Sequence, residues 1–243
     1  MNAFKTSRAE PIGNLRVLPG VVAGALRNSV ADPRDLREGL LRNVWTELKR
    51  FSARNVRTIE MGRIRGIHRV TVEGPVVRHG ILIVSALAAV LECERIFEFG
   101  TSDGETSRLL AHNLPAAEIY SFDAFPDGER ARASEIPQAL GARVARLSGD
   151  SETYDFVPYS GIIDLVHIDA SRRVGSLQAD TDAAFGMLSE LGSIVWYGYS
   201  YQPALYRFLN ALAPALDRPI YHLAGTRLAL YSRWDIVASE GDP

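Results

Sequence analysis

Short apolar segments alternate with longer segments of helical spacing from about residue 94 to the C-terminus. This alternation is typical of an α/β domain with a mainly parallel sheet, because parallel strands are joined by crossover helices. The first, fourth and fifth apolar segments are almost continuously apolar, which predicts central strands covered on both faces. The last two are joined by "AGT", which is too short for a crossover and predicts an antiparallel hairpin. The seven predicted strands are residues 95–100, 118–125, 143–149, 162–169, 193–199, 220–225 and 227–233.

Apolar spacing predicts three helices around these strands. Residues 81–91 form the most apolar stretch, but it is far shorter than the roughly 20 residues that cross a bilayer. We therefore predict a buried helix there and no membrane span. Gly192 is placed to end the second helix, and Pro214 lies near the end of the third. The positions that mark the second and third helices are Leu177, Ala184, Phe185, Leu188 and Leu191, and Leu205, Phe208, Leu209 and Leu212.

Residues 1–80 show a different pattern. An apolar stripe between Leu36 and Leu48 predicts one helix, while the segments around it are irregular and basic. We predict an N-terminal helical cap over residues 1–80, followed by the α/β domain over residues 81–243. The stripe would equally suit packing against a second subunit, so a homo-oligomer is an alternative interpretation.

Composition limits the classes of protein and partner. A chain of 243 residues with 47% hydrophobic residues can bury a sizeable core. Its net charge of −2 gives no general attraction to nucleic acid or to anionic membranes. The single cysteine, Cys93, cannot form an internal disulfide, and the N-terminus lacks a compact apolar signal segment. We therefore expect a reducing, cytoplasmic location, with a transit peptide as the open alternative.

The stretch "FEFGTSDGETS" predicts a ligand-binding turn. Gly100 ends one strand, Gly104 opens the next helix, and Asp123 closes the second strand. A glycine turn lets a ligand approach the backbone, and an acid at the end of the second strand can accept hydrogen bonds from a ribose diol. This pattern predicts a nucleoside site. The structural alternatives are ordinary turn glycines and a helix-capping Asp123.

The acidic residues of the turn select the kind of nucleoside. A phosphate-binding loop would place lysine after Gly104, whereas Glu105 would repel a phosphate. A dinucleotide fingerprint needs a third glycine, which is missing. With Glu98 and Asp103 nearby, the turn suits a cationic ligand, and S-adenosylmethionine is a nucleoside with a sulfonium, an α-amino group and no phosphate.

Residues 95–123 resemble the first motif of class I S-adenosylmethionine-dependent methyltransferases, and residues 164–213 resemble the later part of the methyltransferase-24-type branch. The resemblance covers about residues 94–234 and implies a Rossmann-like fold with S-adenosylmethionine as cofactor. It implies that Glu98 organises the turn and that Asp123 binds the ribose. Asp150 fits either an adenine contact or a cap. The remaining cofactor-binding residues that the resemblance implies are Gly100, Thr101, Ser102, Gly104 and Ser151.

Asp169, in "HIDAS", is the catalytic candidate that the resemblance implies. The family often has a histidine three residues later, where this chain has Arg172, and a polar acidic pair after the fifth strand, where it has Tyr197 and Gly198. Magnesium needs several oxygen ligands, so we predict no catalytic metal. Asp169 would then act as the base, with Tyr197 or Tyr199 orienting the acceptor.

The acceptor is predicted to be a small molecule or a glycan that is methylated on oxygen. His167 lies two residues before Asp169 on the same strand face and is interpreted as a packing residue. Between residues 42 and 79, nine Lys or Arg outnumber three Glu. This excess fits a solvated helix face or, with Arg63, Arg65 and Arg172, a site for an anionic acceptor. The alternative functions are a non-catalytic protein that binds the cofactor and a nicotinamide-dependent oxidoreductase.

Overall fold

The computed structural model describes residues 55–74, 79–100, 104–123, 143–169, 174–200 and 202–238. Strands and helices alternate along most of this part of the chain. The helices are α1 (His79–Val90), α2 (Glu105–Asn113), α3 (Val174–Met187) and α4 (Pro203–Leu212). The strands are β1 (Arg57–Ile59), β2 (Arg95–Phe99), β3 (Glu118–Asp123), β4 (Val144–Ser148), β5 (Ile163–Asp169), β6 (Leu188–Tyr197), β7 (Tyr221–Leu223) and β8 (Leu228–Ser232).

All eight strands belong to one sheet, in the order β1-β7-β8-β6-β5-β2-β3-β4. The pairs are parallel except that β8 runs antiparallel to both β6 and β7. The seven predicted strands, the mainly parallel sheet and the C-terminal hairpin are therefore confirmed. The predicted central position of β2, β5 and β6 is also confirmed, and the apolar side chains of these strands are buried.

The eighth strand, β1, was not predicted. Residues 57–59 pair in parallel with β7, with Arg57 opposite Tyr221 and Ile59 opposite Leu223. This strand has only three residues and no fully buried side chain, so it carries no apolar alternation. Part of the segment assigned to the cap therefore extends the sheet. The predicted cap helix between Leu36 and Leu48 lies outside the described residues.

The predicted end of the second helix at Gly192 was wrong. α3 ends at Met187, and Leu188 already pairs with Ile163 of β5. A Cβ at Gly192 would lie 2.8 Å from the carbonyl oxygen of Ile163, so this glycine permits close approach of two strands. Leu191, placed on the buried helix face by its spacing, is 61% exposed. Helical spacing thus continued past the helix.

Two cores hold the sheet. α1 and α2 cover one face, where their apolar side chains form a single buried cluster with Ile96 of β2, Leu165 of β5 and Val195 of β6. Phe97 and Phe99 of β2 both point to the opposite face from Ile96. There they contact Phe122 and Phe156. Within the described ranges, none of the helices combines the length and apolar character that a membrane crossing requires.

Candidate functional site

The turn after β2 lies against the end of β5. Gly100 has a φ of +89°, and a Cβ there would lie 2.9 Å from the carbonyl oxygen of Asp169. Gly104 has a φ of +70° and precedes the first residue of α2. Both backbone conformations favour glycine. Thr101 and Ser102 lie outside the described residues, so the turn is observed at its two ends.

Glu98 lies on β2, two residues before Gly100. Its side chain is fully buried on β2 and accepts hydrogen bonds from the hydroxyl of Ser107 on α2 and, at 3.1 Å, from the hydroxyl of Ser121 on β3. The carboxyl group therefore joins the three elements that surround the turn. The side chain lies in the core, and its predicted role in organising a cofactor turn stays a prediction.

The ends of β3 and β4 lie side by side. Asp123 is half-buried and pairs in register with Ser148, and its carbonyl accepts a hydrogen bond from the backbone N–H of Gly149 at 3.2 Å. One carboxyl oxygen of Asp150 accepts a hydrogen bond from the N–H of Glu152 at 3.0 Å. Asp150 thus makes a side-chain hydrogen bond within a turn, and no helix begins at this point. Its contact with an adenine ring stays a prediction.

Asp180 is a member of this region that sequence reasoning missed. Its side chain on α3 is 6% exposed, and the Ser151 hydroxyl donates a hydrogen bond to it. Burial raises the pKa of Asp180 to about 6; the Ser151 hydrogen bond lowers it, and the nearby charge of Asp150 raises it. In the sequence, "QADTD" has the appearance of a polar helix face. Only the folded position of Ser151 reveals the contact.

Asp169 and Tyr197 lie beside each other at the ends of β5 and β6. They are register partners, and both are half-buried. The tyrosine ring packs against the start of α1, where a Cβ at Gly80 would lie 2.9 Å from its Cε2. Its hydroxyl accepts a hydrogen bond from the Arg227 guanidinium at 3.4 Å. The structure therefore brings Gly100, Asp169 and Tyr197 to one edge of the sheet.

Gly198 stands at the second position of the polar pair that the resemblance implies. Its φ of +109° disfavours a side chain, and a Cβ would lie 2.8 Å from Nε2 of Gln202. The carbonyl of Arg227 accepts hydrogen bonds from the N–H groups of Gly198 at 2.8 Å and Tyr199 at 2.9 Å. These contacts turn the chain sharply at the end of the strand.

Tyr199, the second predicted acceptor-orienting residue, is buried. Its hydroxyl accepts a hydrogen bond from Asn210 Nδ2 at 3.0 Å, and its ring lies 5.1 Å from the rings of Tyr206 and His222. These contacts are those of a packing residue, and a role in acceptor binding stays a prediction.

The predicted anion-binding arginines contact the C-terminal segment. Arg63 donates hydrogen bonds to the carbonyl of Ala238, one of them at 3.1 Å, and Arg65 lies 3.9 Å from a carboxyl oxygen of Asp235. Arg172 lies outside the described residues. The proposed contact of these three residues with an acceptor stays a prediction.

A metal site was not predicted. Among the residues that the structure describes, no three His, Cys, Asp or Glu side chains cluster as metal ligands do. Residues 170–173, which follow Asp169, are outside that part of the chain. Metal independence therefore stays a prediction.

Solved structures with the same fold are known. No family model matches the sequence, and no curated protein is significantly similar to it. The O-methyltransferase TomG from Streptomyces achromogenes, solved with SAM, aligns with 72% of this chain and 87% of its own, at 18% identity and a TM-score of 0.51. The SAH-bound Podospora anserina methyltransferase PaMTH1 aligns with 66% of this chain and 80% of its own, at 20% identity and a TM-score of 0.52. This chain has their fold. The predicted Rossmann-like fold is thereby confirmed, whereas the methyltransferase-24-type branch stays a prediction.

Proposed function

We propose that the protein is an S-adenosylmethionine-dependent methyltransferase that methylates a hydroxyl oxygen of a small molecule or glycan without a metal ion. One observation carries this proposal. Gly100, where the predicted cofactor turn begins, lies against the backbone carbonyl of Asp169, the predicted base, at the carboxyl edge of the sheet. Open α/β sheets bind their ligands at this edge.

The described residues fit the cofactor. Gly100 lets the start of the turn approach the end of β5 closely. Its N–H donates a hydrogen bond to the carbonyl of Phe122 at 2.9 Å, so Asp123, the next residue, ends the neighbouring strand. Asp123 is half-buried, so it can accept hydrogen bonds from a ribose. Glu105 stands in the first turn of α2, where it disfavours a phosphate. When bound, S-adenosylmethionine supplies an electrophilic methyl group on a positively charged sulfur.

The chain itself supplies alignment and a base. The carboxyl group of Asp169 accepts the proton of the acceptor hydroxyl, and the hydroxyl of Tyr197 orients that acceptor. The packing of Tyr197 against Gly80 and its hydrogen bond from Arg227 limit the positions that the ring can take. The fold of TomG, an O-methyltransferase, supports oxygen as the methylated atom.

Transfer of a radioactive methyl group from S-adenosylmethionine to a panel of hydroxylated small molecules and glycans tests this function. We expect transfer that EDTA does not reduce. Asp169→Asn should lower kcat at least about 100-fold, as loss of a general base does, with little change in cofactor affinity. Asp182→Asn, on the exposed face of α3, is the matched control. Activity that requires added magnesium would contradict metal independence, and an unchanged kcat in Asp169→Asn would contradict the base.

A non-catalytic protein that binds the cofactor is the second candidate. The observation that favours it is the end of β6, where Tyr197 and Gly198 stand in place of the polar pair that the family carries. Cofactor binding with no transfer to any acceptor in the panel would support this alternative and contradict the enzymatic function.

A further inference from the structure

A buried acid and a buried imidazole face each other beneath the site. Glu98 of β2 and His167 of β5 are register partners in the parallel sheet. Their side chains are 0% and 3% exposed, and Oε1 of the glutamate lies 3.7 Å from Nδ1 of the histidine. This distance is longer than a hydrogen bond, so the interaction is mainly electrostatic. The pair is enclosed between the sheet and its covering helices.

The pair makes few other polar contacts among the described residues. Oε2 of Glu98 accepts hydrogen bonds from Ser107 and Ser121, whereas Oε1 and both ring nitrogens of His167 have no hydrogen-bond partner there. Burying polar groups costs free energy unless they interact with each other. A proton on Nδ1 would point at Oε1, so each group partly compensates the burial of the other. Packing alone does not explain a histidine at this position.

The position of the pair relates it to the proposed chemistry. Gly100 follows Glu98 by two residues, just after the end of β2, and Asp169 follows His167 by two residues at the end of β5. A Cβ at Gly100 would lie 2.9 Å from the carbonyl oxygen of Asp169. Because a strand rises about 3.3 Å per residue, the pair lies about 7 Å below that contact. It therefore fixes the strands directly beneath the two residues whose alignment methyl transfer needs.

We propose that His167 is a positioning residue, which holds the carboxyl group of Glu98 and thereby fixes the cofactor turn relative to Asp169. The inference rests on the proposed function. Glu98 transmits the effect, because it also binds Ser107 on α2 and Ser121 on β3. α2 begins next to the predicted cofactor site, and β3 ends next to it. Removing the imidazole N–H leaves Oε1 buried without a facing donor and loosens the turn.

Two amide variants separate this role from packing. His167→Asn keeps an N–H donor near the position of Nδ1, whereas His167→Gln moves the amide towards the position of Nε2. Both leave a smaller, polar side chain in the same buried site. Ser193→Ala is the control, because it removes another buried polar pair in the same sheet, the hydrogen bond between Ser193 and Ser232 at 2.8 Å.

Calorimetric titration with S-adenosylhomocysteine and thermal unfolding are measured on each variant. We expect His167→Gln to weaken binding at least tenfold and His167→Asn to bind within threefold of the unchanged protein. Ser193→Ala should lower Tm without changing affinity. Ser121→Ala removes one hydrogen-bond donor from Glu98 and should weaken binding threefold or more. If His167→Gln does not fold, this variant tests whether Glu98 transmits the effect to the turn.

The outcomes distinguish the two levels of the proposal. Unchanged affinity in His167→Gln or in Ser121→Ala would overturn the positioning role while leaving the proposed cofactor intact. The positioning role would also be overturned if the two amide variants lost affinity equally and each loss followed the decrease in Tm. Altered packing would then explain both losses. Failure of the unchanged protein to bind S-adenosylhomocysteine would overturn the proposed function itself.

Discussion

Replacing Gly100 with alanine perturbs the contact on which the site depends. The residue has a φ of +89°, a conformation that costs an L-residue about 1–2 kcal/mol. The new Cβ would also lie 2.9 Å from the carbonyl oxygen of Asp169. Backbone on both sides of this contact must shift to relieve it, which costs about 1–2 kcal/mol more.

Together these costs predict a loss of about 2–4 kcal/mol in the free energy of unfolding. For a chain of this size, that loss corresponds to a decrease in Tm of roughly 5–15 °C. Relief of the contact moves the turn away from Asp169. We therefore also expect the affinity for S-adenosylhomocysteine to fall at least tenfold.

Gly161→Ala is the matched control. Gly161 has a φ of +71°, but a Cβ there would have no atom within 4 Å. This variant bears only the backbone cost of about 1–2 kcal/mol, and its affinity should not change. Differential scanning calorimetry and isothermal titration on the two variants isolate the contact with Asp169. If Gly100→Ala were as stable as Gly161→Ala and kept its affinity for S-adenosylhomocysteine, the contact with Asp169 would not have the predicted effect.

Two further predictions concern buried titratable groups. Burial raises the pKa of Asp180 from 3.8 to about 6, so the folded protein retains a proton that the unfolded chain releases, and stability falls as pH rises from about 4 to 6. Asp180→Asn should remove this fall and, after solvent screening, gain about 1–2 kcal/mol at pH 7 in urea unfolding; parallel pH profiles would contradict the assignment. Burial also raises the pKa of the Cys93 thiol, so thiol reagents should label it only as fast as the protein unfolds, and rapid labelling of the native protein would contradict this.

The central strands could be predicted because burial on both faces requires apolar residues at almost every position. β2, β5 and β6 are covered on both faces and are therefore almost continuously apolar. β1 was not predictable, because a strand of three residues at the sheet edge needs no apolar alternation. Leu191 misled the helix assignment, since its spacing continues a helical stripe whereas the chain has already entered β6.

The candidate site divides in the same way. The positions of Gly100 in a tight turn and of Asp123 at a strand end could be predicted from the sequence, because both are local features. The pairing of Glu98 with His167 joins residues that are far apart in the chain, and register between strands decides it. The burial of Tyr199 beyond the turn at Gly198 is likewise decided by the fold, and its predicted role in acceptor binding stays a prediction.

We propose that the carboxyl edge of this sheet binds S-adenosylmethionine through the glycine turn and Asp123. Isothermal titration with S-adenosylmethionine and S-adenosylhomocysteine, on the unchanged protein, Asp123→Ala and the exposed control Asp182→Ala, tests it most directly. We expect one site per chain. Asp182→Ala should keep the affinity, and Asp123→Ala should weaken it at least about tenfold, because hydrogen bonds to a charged group are lost. No binding by the unchanged protein, or equal binding by Asp123→Ala, would contradict it.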